Sequence, residues 1–295
     1  MIVSEAFGRA LLGEPWLATL LSAAVLRQAA EEVRAELLGP LMTGETIYAL
    51  AHAGDVHVRE GRVSGRVGQV LGGGLADRLL IAATGLEGVI SVVLVDPAGD
   101  GVRRTDYALH GGGRAADVEL TNAPVLRVLL EGEPARRALR EAQAIGVAAL
   151  AADALGAAQA AFDLTVDYLK TRVQFGQPIG ANQALQHRAS EMYVELEQLR
   201  SAAILAACST DEDNEAERSR VDHTVRIVTS KSARYIGQQC VQLHGGIGVT
   251  AEASIGHYFL RLTTAGVLFG DSDSSVAALA EGGGIVEAIP YWDVA

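Results

Sequence analysis

Two short stretches of the chain gather side chains suited to holding a ligand. The first runs from Tyr168 to Arg188, YLKTRVQFGQPIGANQALQHR. It sets Arg172 and Gln174 as donors near a loop tip, with the flat apolar face of Phe175 beside them. Gly176 suits the position just past a helix end, and Pro178 cannot continue a helix. Residues 174–180 therefore read as a helix stop and restart joining two antiparallel helices. The second stretch is Gln242-Leu243-His244-Gly245-Gly246-Ile247-Gly248, whose paired glycines read by themselves as a helix stop. A third candidate, Phe269-Gly270-Asp271-Ser272, offers carboxylate chemistry. Taken alone, Ser272 there caps a short helix and the Asp residues favour its N-terminus.

The elements around these stretches follow from periodicity. Positions 1–39 read as two short helices with Leu11, Leu12, Leu17, Leu20, Leu21 and Val25 as apolar contacts. From Gly44 to Leu130 the period changes. Val56–Val58, Arg62–Val70, Leu79–Ala83, Val89–Val95 and Val125–Leu130 are β-rich runs punctuated by glycine turns. They predict a compact antiparallel sheet or barrel. The triple glycines at 72–74 and 111–113 read as hairpin turns, since neither opens a helix or precedes a Lys-Ser/Thr pair. From Pro134 onward the chain reads as helices. Val147, Leu150, Ala151, Ala154, Leu155, Ala158 and Phe162 recur at helical spacing, and Leu185, Ala189, Met192, Leu196, Leu199 and Ala203 form a heptad-like seam. Asp211–Glu217 reads as a solvated acidic loop, Val221–Val241 as a third helix and Ala251–Leu268 as a fourth, together a four-helix bundle. Glu281–Ala295 reads as a surface tail. The expectation is an α+β, mostly α chain in three parts: a short helical segment (1–42), a middle β domain (43–132) and a C-terminal bundle with tail (133–295).

The totals bound the function. A chain of 295 residues with 49% hydrophobic residues and a mean hydropathy of +0.21 can bury a real core. A net charge of -12 argues against nucleic acid or an anionic membrane as main partner. Cys208 and Cys240 lack CxxC spacing and paired histidines, so they read as two buried thiols in a reducing cytoplasm, with no metal site. Residues 16–26 are too short and too broken by Thr and Ser to span a membrane.

The first two stretches, in this order and separation, resemble the acyl-CoA dehydrogenase family. Arg172-Val173-Gln174-Phe175-Gly176-Gln177-Pro178-Ile179 with Gln183 and Gln186 carries one half of the resemblance, and Gln242–Gly248 the other. It is good over the C-terminal half, weaker in the middle and poor over the first forty or so positions, where the N-terminal helical domain looks shortened. The resemblance implies oxidation of an acyl-CoA thioester between its α and β carbons. A carboxylate takes the α-proton while a hydride passes to FAD, held between the sheet domain and the bundle. A neighbouring subunit holds much of the ADP end of that FAD. The positions implied there are Arg172 at the pyrophosphate, Phe175 against the adenine end, and Gln174, Gln183, Gln242, Leu243, His244, Gly245 and Gly246. Glycines at 245 and 246 let a backbone approach the dinucleotide closely.

Other family positions are missing. The Leu-Thr-Glu-Pro-type segment that bonds the flavin corresponds to Ile47–Asp55, which lacks the Thr-Glu-Pro core. The Trp-Ile-Thr tripeptide against the ring corresponds to Gln69-Val70-Leu71. The Glu of the Tyr-Glu-Gly-Thr segment falls on Gly270, with Asp271 one place along, and the family's alternative Glu falls near Gly146. The pattern resembles the short, degenerate subunits of heteromeric actinobacterial steroid-degrading acyl-CoA dehydrogenases. It implies an α2β2 assembly acting on a bulky, steroid-derived type of CoA thioester and passing electrons to an acceptor flavoprotein. The base is then Asp271 or a residue of the partner. Two other readings stand beside it: a self-sufficient homo-oligomer with Asp271 as base, and a non-catalytic homologue that binds no flavin.

Overall fold

In the computed structural model, residues 1–210, 212, 214–250 and 252–282 are described. Three helices lead the chain: α1 (Ile2–Arg9), α2 (Trp16–Arg27) and α3 (Glu31–Thr43). Two were expected. The extra one is α1, which lacks a side-chain cap but is held by packing. α3 ends on Gly44 in the left-handed region (φ 77), as a glycine C-cap does.

Seven strands follow: β1 (Tyr48–Ala51), β2 (Gly54–Arg59), β3 (Arg62–Leu71), β4 (Arg78–Thr84), β5 (Ile90–Val95), β6 (Val102–Ala108) and β7 (Arg114–Glu131). Pairings run β4–β2–β3–β7–β5 and back to β4, so the strands close into a ring, with β1 on β4 and β6 on β7. Closure removes the open edges that a flat sheet would expose. The pairings are antiparallel except β1 with β4 and β2 with β4, which are parallel. Sequence-local turns predict only the antiparallel ones. Val56, Val63, Val67, Leu79, Ile81, Val93 and Val118 fill the interior.

α4 (Glu133–Thr171) begins the helical part. Alanine is the strongest helix former, and its small side chain lets neighbouring helices approach closely. A two-strand hairpin, β8 (Val173–Gln174) with β9 (Gln177–Pro178), separates α4 from α5 (Gln183–Ser209). Then come α6 (Glu215–His244), α7 (Ile255–Ala265) and α8 (Ser272–Glu281). The third and fourth expected helices are α6, longer at both ends, and α7, shorter at both ends. The expected tail beyond Gly282 lies outside the described residues, as do Asp211 and Asp213 of the acidic connection. Among the described residues α4 alone is long and apolar enough to cross a membrane, and that stretch is mostly buried in the fold.

Two compact units result. One joins residues 1–11 with those from Val147 onward, and the other spans Leu12–Gly146. The bundle core contains Leu155, Met192, Leu196, Leu199, Ile236 and Leu262, all fully buried. α1 seats on α4 through glycines. A Cβ on Gly8 would lie 1.8 Å from the carbonyl oxygen of Asp153, and one on Gly156 would lie 1.9 Å from that of Glu5. Inside the same unit Asp153 accepts from Arg261 Nε at 2.8 Å and Nη2 at 2.6 Å, a buried two-pronged pair between α4 and α7. Of the two thiols expected to be buried, Cys240 is and Cys208 is exposed, on the solvent side of α5.

Candidate functional site

The hairpin after α4 presents the first motif. Register pairs Val173 with Pro178 and Gln174 with Gln177, leaving Phe175 and Gly176 as a two-residue turn at φ 52 and 82. Positive φ at both central residues matches the twist of a tight hairpin. Gly176 is thus a hairpin turn residue rather than the position just past a helix end; the expected stop and restart stands, with α4 ending at Thr171 and α5 beginning at Gln183. A non-glycine residue in this region is uncommon and bears strain. Phe175 bears it while its side chain stands fully in solvent, at 102% relative exposure. Arg172, Gln174 and Gln183 are exposed as well. The Ile179 N–H donates to the Arg172 carbonyl at 2.8 Å and closes the hairpin base, while Gln186 Nε2 donates to the Gly180 carbonyl at 2.9 Å. The framework is hydrogen-bonded, and the exposed Gln174 also donates from Nε2 to the Val173 carbonyl at 2.9 Å, while Arg172 and Phe175 extend into solvent.

The second motif is the end of α6. Leu243 is buried in the bundle core and Gln242 is exposed. Gly245 ends the helix at φ 64, ψ -143, a conformation only glycine adopts readily, so its identity has a structural cause. Gly246 has none: its φ is ordinary, and a Cβ there would meet nothing within 4 Å. The two motifs share one end of the bundle, because Tyr168 in the last turn of α4 stacks on His244 in the last turn of α6.

The loop expected to carry a base is built differently. Asp271 is the N-cap of α8, its Oδ1 accepting from the Ser274 N–H at 2.9 Å, so the cap is Asp271 and not Ser272. That hydrogen bond holds the Asp271 carboxyl below its ordinary range. A proton-abstracting carboxylate needs the opposite, a raised pKa in a dry pocket. Gly270 sits at φ 103, and a Cβ there would lie 3.1 Å from Arg226 Nη1. Arg226 donates to the Phe269 carbonyl, and its Nη2 donates to His223 Nδ1 at 2.8 Å. Burial pushes the neighbouring Asp222 carboxyl up to about 6, although Arg226 and Arg218 pull the other way. The sequence reading passed over this cluster. Its signal was the spacing of Asp222, His223 and Arg226 on one helix face.

In the sheet unit, β3 bulges between Val67 and Val70, with Gln69 at φ 54. Asp117 pins the bulge, accepting from the Gln69 N–H at 3.2 Å and from Tyr107 Oη at 3.1 Å. Val70 is packed in the sheet core with Ala49 and Ala51 of β1, which is buried throughout, while Gln69 is exposed. Among the described residues no group of three or more His, Cys, Asp or Glu could hold a metal ion.

The exposed guanidinium, amides and aromatic ring fit a dinucleotide with a diphosphate and an adenine. Gly246 adds exposed main chain with open space over it, since a Cβ there would meet nothing within 4 Å. Residues 136–283 match the family of the acyl-CoA dehydrogenase C-terminal domain. The acyl-CoA dehydrogenase FadE34 of Mycobacterium tuberculosis is 32% identical over 77% of this chain and 30% of its own length. IpdE2 of the same organism is 38% identical over 35% of this chain and 30% of its own. A solved variant of the Tcur3481-Tcur3483 steroid ACAD superposes with a TM-score of 0.85 at 26% identity, covering 95% of this chain and 79% of that one. The ChsE4-ChsE5 complex from Mycobacterium tuberculosis gives a TM-score of 0.84 at 23% identity over 95% of this chain and 78% of the other, a likeness of fold. The chain spans about a third of the length of the curated relatives it matches, 30% in each case.

Proposed function

The chain belongs to the acyl-CoA dehydrogenase family, and from that premise we propose that it is one subunit of an FAD-dependent acyl-CoA dehydrogenase, supplying the ADP-facing half of a partner subunit's FAD site. The observation that carries this reading is Phe175, fully exposed on a strained, hydrogen-bonded turn beside exposed Arg172 and Gln174. Burying such a ring contributes about 1.5–3 kcal/mol, a gain the isolated subunit forgoes. FAD, when bound, supplies the acceptor for the hydride taken from the thioester's β carbon.

The chain's own part is binding. Arg172 meets the charge of the diphosphate with a planar fork of donors. Phe175 covers the adenine end, and Gln174, Gln183 and Gln242 donate or accept around it. Gly245 and Gly246 let the main chain come close. The base belongs to the partner, since Gly270 carries no carboxylate and Asp271 is committed to the α8 cap. The substrate is a bulky CoA thioester of steroid type, and the assembly is α2β2. The solved relatives support this reading, one described as a steroid ACAD and the other as a complex of two named chains. The electrons leave to an acceptor flavoprotein, and the work is done in the cytoplasm.

Co-expression with an acyl-CoA dehydrogenase subunit that carries the ring-side Thr-Glu-Pro segment and the catalytic Glu tests the proposal. One FAD per heterodimer, none on the isolated chain, and loss of flavin in the Arg172→Ala complex are expected. A yellow, active homo-oligomer of this chain alone would sink the idea.

A further inference from the structure

Tyr168 lies four residues before Arg172, and His244 two before Gly246. Their rings stack with centroids 4.5 Å apart and planes 19° from parallel. His244 is fixed on a second side, with Nδ1 2.8 Å from the Cys240 carbonyl oxygen. A carbonyl only accepts, so Nδ1 carries the proton and donates. One ring face and one ring nitrogen are therefore committed inward. Beside the pair, Leu169 and Leu243 are buried in the bundle core, so both helix ends are seated by packing just before each motif begins. The hairpin and the Gly245–Gly246 turn belong to different helices and share no backbone hydrogen bond among those of the described residues. Two loops that must hold one ligand need a fixed mutual position, because a displacement of about 1 Å loses binding geometry.

We propose that the Tyr168–His244 stack is a latch that sets the hairpin against the glycine turn, Tyr168 being a positioning residue and His244 acting through position rather than by touching the cofactor. This rests on the cofactor reading above. It assigns Tyr168 a part it did not have and withdraws His244 from the direct contacts.

The experiment is FAD titration of the co-expressed complex by flavin fluorescence, with Arg172→Ala as reference. Tyr168→Phe, which keeps the stack, is expected to bind as the wild type does. Tyr168→Leu is expected to weaken FAD about tenfold with the complex intact by mass and melting. The double variant is expected to lose less than the sum of the two single losses, since Arg172 is one of the contacts the latch positions. Weakening by Arg172→Ala but not by Tyr168→Leu, or fully additive losses, would overturn the latch. No effect of Arg172→Ala would overturn the cofactor reading instead. If Tyr168→Leu does not assemble, Tyr168→Met is judged by the same outcomes.

Discussion

A carboxylate and a thiol test the bundle interior one residue at a time. Burial raises Asp222 from its ordinary 3.8 to about 6. The native state therefore keeps a proton that the unfolded chain releases, so between those two values stability falls as pH rises. Above the upper value the ionised group is carried at a cost of about 3 kcal/mol, from roughly two units at 1.36 kcal/mol each. Asp222→Asn removes that slope. Its stability relative to wild type is expected to improve by about 2 kcal/mol between about pH 4.5 and about pH 7.5, measured by urea unfolding. A constant difference would mean that Asp222 is better solvated than its burial implies. Cys240 is buried, and desolvation pushes its thiol up to about 12, whereas Cys208 is exposed. A thiol reagent is expected to label Cys208 alone in the native protein and both thiols in denaturant. Asp271→Asn, which removes a cap charge and no base, is expected to leave turnover of the complex unchanged; lost turnover would restore Asp271 as a catalytic candidate.

Among the elements, the α1–α4 crossing makes the sharpest demand. A methyl on Gly156 would sit 1.9 Å from the Glu5 carbonyl oxygen. Gly156→Ala gains helix propensity but drives α1 off its seat, an overpacking cost of about 1–3 kcal/mol. Gly256→Ala is the control: inside α7, where a Cβ would meet only the Gly248 carbonyl oxygen at 3.8 Å, an ordinary contact, it is expected to stabilise by about 0.5–1 kcal/mol. Thermal melts read both, and equal shifts would dismiss the crossing. The same comparison explains what the sequence made legible. α5 and α6 follow from their apolar seams. α1 escaped because eight residues seated by glycines leave little pattern. The hairpin at 173–178 escaped because a glycine and a proline after a helix obey the rules of termination. Only the pairing of Val173 with Pro178 distinguishes a hairpin from a stop. The parallel pairing of β1 with β4 is non-local and leaves no turn to read. At the site, residue types were legible from motif order, while the Tyr168–His244 stack and the Arg226 cluster needed three-dimensional neighbours.

Over the whole molecule the chain divides into two units with separate cores. Trp16 belongs to the sheet unit, and every residue proposed to hold the cofactor belongs to the bundle unit. In a Trp292→Phe background, Trp16 fluorescence follows the sheet unit while far-ultraviolet circular dichroism is dominated by the bundle helices. Ligands stabilise what they bind. FAD and partner are therefore expected to raise the dichroism midpoint more than the fluorescence midpoint; identical shifts would mean one cooperative unit. Gly246 allows a different separation. Its backbone would accept an alanine, and no neighbour would notice the methyl. Gly246→Ala thus works as a silent reporter: the subunit's own ledger does not change, so whatever the assembled protein loses is owed to a visitor at that surface.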